Sequence, residues 1–107
     1  MNDPKTYDPK IAEMMGWIKS DGVYLVPKDF GVFCKPENLR FSSDLNWLMA
    51  AREAIRGKGV CDVDIQGGGV YLYKYGHQTE SWGIGEDIKA ALYAAVCKVV
   101  DLMEEEG

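Results

Sequence analysis

The spacing of apolar residues along this chain switches between a helical and an extended period, and Gly, Pro, Asp or Ser marks each switch. Asp8-Pro9 reads as a helix start, because Asp accepts a backbone N–H bond and Pro at the first helical position needs no donor. Ile11, Met14 and Met15 give that helix one face, and Gly16 suits a left-handed C-terminal cap. Trp17 and Ile18 continue as extended chain. The turn Ser20-Asp21-Gly22 then leads to a strand Val23–Val26, stopped by Pro27. A second extended piece, Phe30 to Cys34, is placed to pair with it, and Lys35 to Arg40 is a loop. Ser42-Ser43-Asp44 opens a second helix that runs to about Arg56, either Ser serving as cap and Gly57 ending it. Trp47, Leu48, Ala51, Ala54 and Ile55 fall on one side of this helix, and Asn46, Arg52, Glu53 and Arg56 largely opposite.

Strict alternation returns at Val60 to Gln66, with Val63 and Ile65 on one face and Asp62, Asp64 and Gln66 on the other. Gly67-Gly68-Gly69 follows, and then Val70-Tyr71-Leu72-Tyr73-Lys74-Tyr75, which together read as a hairpin. A two-residue Gly68-Gly69 turn would pair Ile65 with Leu72 and set the tyrosines beside Asp62 and Asp64. A three-residue turn would move the tyrosines to the Val63/Ile65 side. The first separates polar from apolar side chains and is the expected register. After a turn around Gly76-His77-Gln78, Trp82-Gly83-Ile84-Gly85 leads into the longest helix, with Glu86 and Asp87 favouring its N-terminus. Ile88, Leu92, Ala95, Val96, Val99, Leu102 and Met103 form its apolar stripe, and Tyr93, Cys97 and Val100 widen it. A stripe wider than about 100° implies deep burial or a partner on the second face.

Composition narrows the function classes. The chain has 107 residues, 47% hydrophobic, with net charge −5. Residues 1–58 hold nine Lys/Arg against eight Asp/Glu (+1), and residues 59–107 hold three against nine (−6). The tyrosine-rich half is thus the acidic one, which disfavours a phosphate-binding surface and argues against a nucleic-acid partner. No apolar run approaches the roughly 20 residues of a membrane span, and no signal peptide is read at the start. Cys34, Cys61 and Cys97 stand 27 and 36 residues apart among apolar neighbours, so they read as reduced thiols in a cytoplasmic protein.

Three stretches together resemble the phage ABA sandwich domain family. They are Ile11-Ala12-Glu13-Met14-Met15-Gly16-Trp17, Phe41-Ser42-Ser43-Asp44-Leu45 leading to Ala50-Ala51, and Ala90-Ala91-Leu92-Tyr93-Ala94-Ala95-Val96-Cys97. The resemblance spans about residues 11–100. It implies an α/β/α layered sandwich and a phage or prophage origin, and brings no catalytic residues with it.

Candidate chemistry is sparse. Asp62-Val63-Asp64-Ile65-Gln66-Gly67 starts like an EF-hand loop, but the twelfth position is Tyr73 where a bidentate Glu is required. Asp62 and Asp64 could hold a hard cation only weakly, through a third ligand such as Glu86. Gly83-Ile84-Gly85 completes no phosphate-binding pattern, and Glu86 and Asp87 would repel a phosphate there. His77, the only histidine, sits in a polar turn, whereas Cys61 and Cys97 sit in apolar segments where a thiolate is disfavoured. Tyr71, Tyr73, Tyr75 and Trp82 could make a base-stacking platform, but Lys74 is the lone cation among them.

The expectation is a single α+β domain over residues 8–104, with an N-terminal extension at 1–7 and an acidic tail at 105–107. Three helices pack on a small, mainly antiparallel sheet. The expected function is non-catalytic: a protein-interaction or homo-oligomerising module without cofactor or metal, with Tyr71, Tyr73, Tyr75, Trp82, Tyr93 and Val100 as its candidate surface. The alternative is a small-ligand-binding domain or minor enzyme with a pocket between sheet and helix.

Overall fold

A computed structural model describes residues 2–26, 33–85 and 87–106 of the chain. Three helices and two three-stranded antiparallel sheets make an α+β fold, so the strands divide between two sheets rather than joining in one. Pro27, Glu86 and the Phe30–Val32 part of the second extended piece lie outside the described residues.

Helix α1 (Pro4–Met14) starts at the first Asp-Pro pair of the chain, one turn before the second. Asp3 accepts from the Lys5 amide at 3.0 Å, and Pro4 takes the first helical position. Pro9 therefore stands inside the helix, and Asp8, freed from capping, is buried. The segment read as an extension is thus largely the first turn of a helix. Its C-terminus is closed by a Schellman pair: Gly16, at φ 86°, donates to Glu13 O and Trp17 donates to Ala12 O.

The first sheet is β1 (Ile18–Ser20), β2 (Val23–Leu25) and β3 (Phe33–Cys34), in that order. Asp21 and Gly22, both at positive φ, form the two-residue turn between its first strands, as a type I′ hairpin requires. Tyr24 pairs with Lys19 and Cys34 and is buried, while Ile18, Leu25 and Phe33 share the opposite face. A short 3-10 turn (Pro36–Asn38) leads toward α2 (Leu45–Lys58). Asp44, rather than either serine, caps α2, accepting from Asn46 and Trp47 amides at 2.9 and 3.4 Å. Gly57 stays helical, and Gly59, at φ 77°, ends the helix two residues later than expected.

The second sheet is a meander of β4 (Cys61–Gln66), β5 (Gly69–Lys74) and β6 (His77–Gly83). Ile65 pairs with Val70, so the tight turn is Gly67-Gly68 and not Gly68-Gly69. Gly67 takes φ 52°, the positive-φ first position at which type II′ hairpins place glycine. The change of turn keeps every side chain on its expected face: Val63, Ile65, Val70 and Leu72 together, with Tyr71 and Tyr73 opposite Asp64 and Asp62. The Tyr71 ring lies back over Gly69, where a Cβ would come 3.0 Å from its hydroxyl. Tyr75-Gly76 forms a second type I′ turn, with φ of 51° and 82°.

Strand β6 starts inside the expected turn around Gly76-His77-Gln78 and adds a third strand to the expected hairpin. It is a polar edge strand, and Thr79 is the extra residue of a bulge whose hydroxyl donates to Leu72 O at 3.4 Å. The other edge is closed by α2, from which Arg52 Nε donates to the free carbonyl of Val63. Helix α3 (Ile88–Glu106) begins at Asp87, whose carboxylate accepts from the Lys89 amide at 2.9 Å. The second sheet packs against α3, as do α1 and α2, and this accounts for its broad apolar stripe. Leu92, Ala95, Val96 and Val99 are fully buried within one chain, together with Ile11, Leu48, Ile55, Val63 and Leu72 from the other elements. Among the described residues no helix is long and apolar enough to cross a membrane.

Candidate binding cleft

Two helix ends aim aromatic rings at one another. The Schellman turn delivers Trp17 off the end of α1, and the Asp44 cap sets Trp47 in the first turn of α2. Phe41 sits between them in the turn before α2 and is fully buried, whereas both indoles are only half-buried. The three rings lie 5.1–5.6 Å apart between centroids at tilted or edge-on angles, the arrangement that aromatic quadrupoles favour.

These rings wall one side of an open cleft of about 1020 Å³ between α2 and the first sheet. Its floor is a stripe of α2: Asn46, Trp47, Ala50, Glu53, Ala54 and Lys58 recur at helical spacing over about 18 Å of helix axis. The alanines leave room above the helix. Met14 and Met15 from α1 face them with adaptable thioethers, and Val26, Phe33 and Cys34 close the sheet side. Asn38 and Arg40 stand at the entrance nearest the start of α2, where the Arg40 carbonyl receives the Ser43 and Asp44 amides. Burial raises the Cys34 thiol, and the Arg40 guanidinium offsets part of that rise.

The expected contact surface is not one surface. Tyr71 and Tyr73 share the outward face of β5 and are half-buried. Tyr75, in the hairpin turn, is 64% exposed. Trp82 pairs with Val70 and lies on the opposite, core-facing side of the sheet. Tyr93 and Val100 are buried in the interior, because α1 covers the shoulder of α3 that the sequence left apparently bare.

A second hollow, about 500 Å³ and more polar, lies between the end of α2 and the tyrosine face. Its charges are already matched. Arg56 Nε is 3.2 Å from Asp62 Oδ1, at an angle that makes an ion pair and no hydrogen bond, and Arg52 Nη2 is 3.8 Å from Asp64 Oδ1. The α2 arginines thus engage the two carboxylates considered as cation ligands. The third ligand considered, Glu86, lies outside the described residues.

Comparison with known proteins finds no matching family model, curated protein or solved structure.

One buried polar cluster lies apart from both cavities. Tyr93 Oη donates to Asp8 Oδ1 at 2.7 Å, and Asp8 is 3% exposed. Burial pushes Asp8 above the usual carboxylate range, against the pull of the Tyr93 hydroxyl and the Phe41 amide. Tyr93 is held well above its ordinary value by burial and by its bond to Asp8, and burial pushes the Cys97 thiol up to about 12. Alongside, Tyr7 donates to Asp101 at 3.0 Å, and Lys10 pairs with Glu104 at 3.1 Å. This cluster fastens α1 to α3. A thiol that protonated and that buried is no nucleophile at neutral pH. His77 is exposed at the start of β6.

Proposed function

We propose that this protein is a non-catalytic binding domain that takes a small, largely apolar ligand into the cleft between α2 and the first sheet. The observation that carries this reading is the half-buried Trp17–Trp47 pair facing an open space of about 1020 Å³ over an alanine floor. Ligand sites are concave, mostly apolar and furnished with a few polar groups at the mouth, and this cleft has each of those properties. The phage-type setting implied by the resemblance fits such a module without specifying its ligand.

The test is a titration with the neutral dye N-phenyl-1-naphthylamine, following its emission and energy transfer from tryptophan. Saturable binding at one site per chain is expected, lost when Ala50→Leu and Ala54→Leu together fill the floor. A dye that fails to bind, or binds the filled variant equally, refutes the reading.

A protein contact through Tyr75 and its neighbours Tyr71 and Tyr73 is the second reading, favoured by the 64% exposure of Tyr75. Self-association lacks its original ground, since α1, α2 and the second sheet pack against the broad face of α3 within one chain. Light scattering at rising concentration measures it directly, and a monomer is expected.

A further inference from the structure

We infer that the ligand of this cleft is an amphipathic organic anion, its apolar body laid between Trp17 and Trp47 and its anionic head held by Arg40 with Asn38 and Asn46. The inference rests on the cleft being the binding site and adds the chemical class of what binds there. Charge carries it. Arg40 and Lys58 border the cleft without an ion-pair partner among the described residues, and Glu53, the one carboxylate among the described lining residues, is already engaged by Arg52 Nη1 at 3.7 Å. In a chain of net charge −5, two cations unmatched among the described residues do not follow from overall composition.

Position selects between them. Arg40 adjoins the start of α2 through its own carbonyl, on the side of Asn46 and the aromatic trio, whereas Lys58 closes the far end of the helix. Asn46 and Lys58 lie about 18 Å apart along the helix axis, so Lys58 stands at the other end of the α2 stripe from Asn46 and the aromatic rings. Arg40 also presents the planar fork that suits a carboxylate, sulfonate or phosphate, and the two Asn amides bring further donors. Arg40 lines the same cleft as Cys34, Phe41 and Trp47.

The experiment compares two dyes with the same body: 8-anilino-1-naphthalenesulfonate, which carries the head, and N-phenyl-1-naphthylamine, which lacks it. Each is titrated against the unaltered protein, Arg40→Gln, Lys58→Gln and the filled Ala50→Leu/Ala54→Leu variant. Circular dichroism and urea unfolding establish that each variant is folded. The sulfonate should bind about ten-fold more tightly than the neutral dye, the worth of one charge-assisted hydrogen bond. Arg40→Gln should erase that difference and Lys58→Gln should leave it intact. Equal affinity for the two dyes, or equal losses in the two charge variants, overturns the anion assignment while the cleft stands. Failure of both dyes to bind overturns the cleft itself.

Discussion

Tyr93→Phe removes one oxygen from the interior and leaves the ring in place, so it isolates the bond that Tyr93 donates to Asp8 at 2.7 Å. Asp8 is 3% exposed and has no ion-pair partner among the described residues, so water cannot replace the lost donor. A hydrogen bond to a buried charged group contributes about 1.5–3 kcal/mol, and a loss of that size is expected at pH 7.5. With a urea m-value of about 1–3 kcal/mol/M, the unfolding midpoint should fall by about 1 M. The pH dependence gives a second check. Asp8 titrates above its unfolded value in the folded chain, so its contribution is full below that unfolded value and is lost as pH rises through the folded one. Removing the phenol raises the folded value further, so the penalty of Tyr93→Phe should be small at pH 4 and grow toward pH 7.5. Asp8→Asn should abolish that growth. Urea melts followed by tryptophan emission at both pH values measure it. A loss below about 0.5 kcal/mol at pH 7.5, or an equal loss at both pH values, would refute the assignment of Asp8 as a buried carboxylate dependent on Tyr93.

Two glycines of α2 and the second sheet should respond with opposite signs. Gly57→Ala, helical and with open space around it, should stabilise by about 0.5–1 kcal/mol. Gly76→Ala, equally unobstructed but at φ 82°, should destabilise by about 1–2 kcal/mol in the same urea assay. Arg52→Met strips the cover from the Val63 carbonyl and the partner from Asp64, for an expected loss of about 1–3 kcal/mol, and Arg52→Lys should recover only part of it. A disulfide-forming dye at pH 8 should react first with Cys34 and leave Cys97 untouched until urea is added, as an about-12 thiol that is 1% exposed demands. Mass spectrometry of the labelled chain identifies which thiol reacted.

What the amino-acid pattern reveals here is burial, and it fails where an element buries little. The α2 and α3 stripes and the apolar alternation of β4 and β5 face one core and were legible. His77-Gln78-Thr79-Glu80-Ser81 pairs along an edge and exposes every one of these side chains, so no apolar period marks it as strand. The start of α1 was hidden by duplication: Asp3-Pro4 and Asp8-Pro9 offer the same capping chemistry, and only the packing of Tyr7 and Asp8 on α3 decides between them. Three consecutive glycines likewise permit neighbouring turns, and facial segregation cannot separate Gly67-Gly68 from Gly68-Gly69, because both keep Val63 and Leu72 on one side. The cleft was the least legible feature. Trp17 and Trp47 stand thirty positions apart and meet because each adjoins a helix end. An aromatic residue one place beyond a C-terminal cap glycine, and another in the first turn after an N-cap Asp, was the available signal.

The fastening of α1 to α3 also sets an order of events for a newly made chain. Its hydrogen bonds join residues 85 and 94 positions apart, so α1 depends for its seat on a helix made well after it. At about 5–20 residues per second, α1 waits several seconds on the ribosome before Tyr93 and Asp101 are made. Through that interval Asp8 is hydrated and titrates as an ordinary carboxylate, and the meander can pair without α1 because its strands are neighbours in sequence. Docking of α1 then desolvates Asp8 and brings Met14, Met15 and Trp17 to the cleft, so one wall of that cleft is completed only after α3 has been made.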